Sequence, residues 1–153
     1  MAFELTLKYV NRLSRTLKDL LEQSEADACL ICDHAGHVLA QENLVNHDPL
    51  LISALGAGIF AATRELACIL GENEFSSVIH QGEKRSILIS ACDDDVLLVV
   101  MFSGDARIGL VKLYTPTATA EIKNIIHDAS IHATSVESVD RNFVLEDEGN
   151  LFG

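Results

Sequence analysis

The stretch Asp48–Phe75, DPLLISALGAGIFAATRELACILGENEF, reads as one long helix stopped at Gly71 and followed at once by a strand. Asp48 can accept a bond from the free amides of the first turn, and Pro49 at the first helical position lacks an amide that would otherwise go unbonded. Projecting the residues at about 100° each gives two stripes rather than one. Ile52, Leu55, Ile59, Leu66 and Ile69 form a bulky stripe. Ala54, Ala57, Gly58, Ala61, Glu65 and Cys68 form a stripe of mostly small residues roughly 120° away. One core needs only the first. A run of Ala and Gly lets another backbone approach closely, so the second points to a second copy of the helix or to another protein, with close packing inside one domain as the plain alternative.

Composition bounds the rest. A chain of 153 residues is one domain with room for a real core and a short appendage. With 48% hydrophobic and 22% charged residues it has the balance of a soluble protein. Its longest apolar run, Val96–Phe102, is too short to span a bilayer, so no membrane role is expected. The start, MAFELTLKYV, lacks the basic segment and apolar block of an export signal, which makes the cytoplasm the expected location. Four cysteines in apolar segments fit buried, reduced thiols. A net charge of −12 argues against nucleic acid, since phosphate binding needs a basic surface.

In chain order, Leu7, Val10, Leu13, Leu17, Leu20 and Leu21, recurring at spacings of three and four, predict a helix over about Glu4–Glu22, with Lys8, Arg12, Arg15 and Lys18 on the wet side. DACLICD and VLAQEN read as a hairpin turned at Asp33–Gly36, where Gly36 supplies a positive φ. After the central helix, EFSSVIH, KRSILISAC and VLLVVMF read as three strands joined at Gln81–Glu83 and Asp93–Asp95. Unbroken apolar character in VLLVVMF predicts a central strand covered on both faces. RIGLVKLY suits strand or helix, and Pro116 would kink or break a helix there. Helix resumes from Ala118 to about Ala133. Residues 135–153 carry five acids and one arginine and read as a mobile acidic tail. Its apolar Phe143, Val144, Leu145, Leu151 and Phe152 suit a docking motif or a short packed extension.

No constellation points to catalysis. Cys29 and Cys32, followed by His34 and His37, have zinc-ligand residue types, yet on a strand the two thiols face opposite ways and cannot share a tetrahedral ion. Asp93–Asp95 is too short a turn to wrap a hard cation, so no metal is expected. No Gly-x-x-x-x-Gly-Lys-Ser/Thr loop is present to cradle a nucleotide, and no cofactor is called for. The chain is expected not to be an enzyme.

The order helix, two strands, helix, three strands, helix resembles the Roadblock/dynein-light-chain superfamily, and within it the bacterial gliding-motility and polarity regulators of the MglB type. The resemblance covers about Asp27–Tyr114 and rests on ILGENEF (Ile69–Phe75), the His80-x-Gly82 turn, VLLVVMF and IGLVKLY, with an acidic run before Asn150-Leu151-Phe152. It implies an α/β fold of the α+β type, a Roadblock-like α-β-β-α-β-β-β-α sandwich. In that fold a five-stranded antiparallel sheet carries the middle helix on one face and the terminal helices on the other. It also implies a domain over residues 1–134, a helical IGLVKLY, and a bulky stripe that seals the sheet while the small stripe serves a dimer seam.

What the family does adds a partner. MglB-like proteins pair as homodimers through the third strands and the central helices, which places Ala54, Gly58, Phe75, Val78 and His80 at the seam. Such dimers bind a Ras-like small GTPase of the MglA type on the paired helices and promote its GTP hydrolysis. Ala57, Ala61, Arg64, Glu65 and Cys68 match the exposed helix face that would make this contact. Arg64 is a candidate arginine finger, with an ordinary solvated helix arginine as the alternative. Phe143, Leu151 and Phe152 would dock on the GTPase away from its switch face. The rival readings are an inert Roadblock scaffold subunit and a small-molecule sensor, the latter opposed by sparse aromatics and no visible convergence of polar residues.

Overall fold

The computed structural model describes residues 6–152, with side chains from Thr6 to His132. The elements are α1 (Leu7–Ser24), β1 (Ala28–Asp33), β2 (Val38–Glu42), α2 (Pro49–Leu70), β3 (Ser77–Gln81), β4 (Arg85–Ala91), β5 (Val96–Ser103) and α3 (Arg107–Phe152). The strands form one antiparallel sheet in the order β2-β1-β5-β4-β3. β5 is the middle strand, and its buried run Val96–Val100 explains the unbroken apolar sequence.

Two cores sandwich the sheet because its strands alternate. Tyr9, Leu13, Leu17 and Leu20 of α1 and Val111, Ile122, Ile125 and Ile126 of α3 meet Cys29, Ile31, Leu98 and Val100 on one face. Ala57 and Phe60 of α2 meet Leu30, Cys32, Ile89, Leu97 and Val99 on the other. An exposed ion pair, Arg12 to Asp128 at 3.3 Å, joins α1 to α3.

The ends of α2 follow its sequence. Asp48 accepts a bond from the Leu50 amide at 3.0 Å, Pro49 opens the helix, and Gly71 closes it at φ 75°. Its orientation departs from the expected stripes: of the bulky stripe expected to seal the sheet only Ile52 and Ile59 pack toward it, the small stripe is exposed except at Ala57, and a third face is the buried one. The buried residues of α2 are Ser53, Gly56, Ala57, Phe60, Thr63 and Ala67, whereas Leu55 is 60% exposed, Leu66 54% and Ile69 78%. The reason is distance. A Cβ at Gly56 would lie 3.4 Å from Val99 Cγ2, so small residues bring the helix close to β5 while Phe60, flanked by the half-buried Ile52 and Ile59, fills the space. Ser53 fixes this rotation by donating to the Gly36 carbonyl at 2.5 Å.

Among the described residues α2 is also the one helix long and apolar enough to cross a bilayer, by length and composition. One face of it, Ser53, Gly56, Ala57, Phe60, Thr63 and Ala67, is docked on the sheet. RIGLVKLY is helical, and α3 runs through Pro116 without ending. The proline removes the amide that would bond the Lys112 carbonyl, and because both residues are exposed, water can take that bond.

Candidate functional site

The exposed side of α2 is the surface the fold leaves unfinished. Leu51, Gly58, Ala62 and Ile69 lie about opposite Phe60 on the helix, flanked on one side by Leu55 and Leu66 and on the other by Ala54, Ala61 and Glu65. Leu50 and Leu70 at the two ends are exposed as well. An apolar face this long is unusual on a protein that acts alone. Nothing lies within 4 Å of where a Cβ would stand on Gly58, so the helix presents an open notch there.

Arg64 stands at the edge of this face, half-buried and held. Its Nη2 lies 3.1 Å from His34 Nε2 in the β1–β2 turn and donates to the Asp94 carbonyl in the β4–β5 turn at 2.9 Å. Its guanidinium sits 5.7 Å from the centre of the Phe60 ring. Burial pushes the His34 pKa down, and the Arg64 charge adds to this, against the pull of Asp95, Asp94 and Asp93. Asp33 beside it is buried; burial raises its carboxyl, but bonds from the His37 amide and ring and the His37 charge outweigh this and hold it below its usual value.

The other expected residues fall as follows. Ala61, Glu65 and Cys68 are exposed, whereas Ala57, 6% exposed, points to the sheet and offers almost no surface. Ala54 and Gly58 are exposed on α2, Val78 and His80 lie on the edge strand β3, and Phe75 precedes that strand by two residues. Phe143, Leu151 and Phe152 lie outside the described side chains. Cys29 faces α1, its Sγ 3.8 Å from the Leu17 carbonyl oxygen, and Cys32 faces α2. Burial pushes both thiols up to about 12, so they pack rather than react. In the Asp93–Asp95 turn, Asp93 Oδ1 accepts the amides of Asp95 and Val96 at 2.8 and 2.9 Å, which is the work of a turn residue.

His34 and Asp94 were not singled out by sequence as partners of Arg64. The signal was the topology: β1 pairs antiparallel with β5, with Asp33 opposite Val96, so the turn after one strand must lie beside the turn before the other.

This sheet, with one helix on one face, two on the other and an open apolar helix surface, defines a Roadblock-type fold. The Roadblock/LC7 domain family matches residues 13–102, more than half of the chain, and the chain belongs to that family. Among solved structures it is similar to the gliding protein MglB of Thermus thermophilus, at 30% identity and a TM-score of 0.76, covering 84% of this chain and 98% of that one. It is similar to Myxococcus xanthus MglB at 26% identity and a TM-score of 0.77, covering 83% and 96%. A structure of MglB in a tetrameric arrangement matches at 29% identity and a TM-score of 0.77, covering 84% and 97%. An uncharacterized Aquifex aeolicus protein is 23% identical over 129 residues, 82% of this chain and 80% of that protein.

Proposed function

We propose that this chain is a homodimeric regulator of a Ras-like small GTPase of the MglA type, acting in the cytoplasm and without a catalytic site of its own. The observation that carries the reading is the outward-facing apolar side of α2, together with likeness to MglB over almost the whole length of that protein. Pairing two copies through α2 and β3 answers two needs at once. It covers Leu51, Leu55, Leu66 and Ile69, and it pairs the free edge of β3, which otherwise presents open backbone groups to any passing strand. Ala54, Gly58, Val78 and His80 then belong to the seam, with Phe75 at its border.

The GTPase contact falls on the flank formed by Ala61, Glu65 and Cys68, with Arg64 at its edge. The regulator's task is to hold the switch segments and attacking water of the GTPase, because phosphoryl transfer is chiefly positioning and charge stabilisation. The acidic tail would add a second contact through Phe143, Leu151 and Phe152.

The test is GTP turnover by a purified MglA-type GTPase with and without the full chain. Faster hydrolysis or altered nucleotide exchange is expected. Binding with both rates unchanged would leave an inert scaffold, and no binding would reject the partner.

A further inference from the structure

At the end of the sheet away from Arg64, α2 leaves the same face bare. A cavity of about 610 Å³ opens there between the start of β1 and β4, the end of β3 and β5, and the loop that follows β2. Its floor is apolar, made by Ala28, Ile87 and Met101, which stand side by side in register, with Val45 on the loop as one wall. Its polar groups include one arginine, two histidines and one carboxylate, Asp27. Arg85 Nη1 lies 3.1 Å from His47 Nε2, and His80 lines the same space.

The charge balance at this site is unusual for a chain of net charge −12. Among the described residues Arg85 has no carboxylate within ion-pair distance, and its recorded partner is a histidine ring. The nearest acid in the wall, Asp27, is already engaged: it accepts from the Ser103 hydroxyl and pairs with Arg107 at 3.6 Å. Because an arginine can only donate, His47 Nε2 is the acceptor in this contact, and the ring holds the guanidinium in place. A guanidinium fork held by a histidine ring beside an apolar floor matches a flat or tetrahedral anion attached to a short hydrocarbon.

We propose that this cavity binds a small organic anion, a carboxylate or a phosphate ester with a short apolar body, anchored by Arg85 and His47. The sequence hid the site because His47 and Arg85 lie in segments separated by the whole of α2 and β3. The proposal concerns a ligand site at the far end of the sheet and does not depend on the GTPase reading.

The experiment is an amide-resolved NMR titration of the full chain with hexanoate, with hexyl phosphate and, as a control of opposite charge, with hexylammonium. Saturable shifts at Gly82, Ser86 and Ser103 with at least one anion are expected, and the two anion arms separate carboxylate from phosphate. Arg85→Gln should weaken that anion by about tenfold or more, the scale of a lost charge-assisted pair. Arg85 is exposed, so this change leaves the core intact; Val45→Glu, which sets an acid on the 69% exposed wall residue, gives an independent loss without touching the arginine. Absence of saturable shifts with either anion, undiminished affinity in both variants, or equal binding of hexylammonium would overturn the proposal.

Discussion

Arg64 Nη2 lies 3.1 Å from His34 Nε2, which fastens the central helix to a turn thirty residues earlier in the chain. The same nitrogen donates to the Asp94 carbonyl, so one side chain ties α2 to both turns at that end of the sheet. An arginine held in this way works as a clamp. To act as a finger on a GTPase it would first have to break both bonds.

The clamp makes stability depend on pH. His34 titrates below 6.5 in the folded chain, through burial first and the Arg64 charge second. The unfolded chain therefore binds more protons between the folded and unfolded values, and stability is lost as pH falls through the unfolded value. Urea unfolding from about pH 7.5 down to about pH 5 should show this loss. In His34→Gln that part of the pH dependence should vanish; an unchanged profile would show that His34 contributes nothing to it.

Ala61 is exposed on the flank of α2, clear of the sheet. Ala61→Arg should abolish capture of the GTPase while thermal unfolding and oligomeric mass stay as in the parent chain. Normal capture by the folded variant would move the contact elsewhere.

Thr115, 4% exposed, is the one described residue with a buried side-chain oxygen or nitrogen lacking a hydrogen-bond partner. Thr115→Val keeps the shape and removes the unbonded hydroxyl, so chemical denaturation should show no loss, or a gain of about 1 kcal/mol. A loss of similar size would mean that the hydroxyl is bonded in solution.

Deleting residues 142–153 removes the tail residues proposed to dock on the GTPase. Affinity or nucleotide turnover should change while the folded domain persists, as read by circular dichroism. Identical binding and exchange kinetics would make those residues passive.

The sequence revealed most of the fold because its punctuation is local. Asp48-Pro49 and Gly71 set the ends of α2, Gly36 turns the first hairpin at φ 89°, and the apolar run of β5 marks the sheet centre. The direction in which α2 faces was not legible. Both sides of the helix are apolar, and the choice was made by Gly56 against Val99 and Ser53 against Gly36, contacts between distant segments. For the same reason Ala57 looked like surface and lies inside, and the Arg64 clamp stayed hidden until two turns met in space. Pro116 left the continuity of α3 open in the sequence, and the helix passes through it because the missing bond matters little where the helix is wet.

The pairing of two copies along α2 and β3 underlies the whole functional account, and sedimentation velocity of the full chain across a concentration series tests it most directly. Twice the chain mass is expected for the parent protein, with a shift to the single-chain mass when the exposed Leu55 and Leu66 are both replaced by Glu. A single-chain mass for the parent at every concentration would contradict the account.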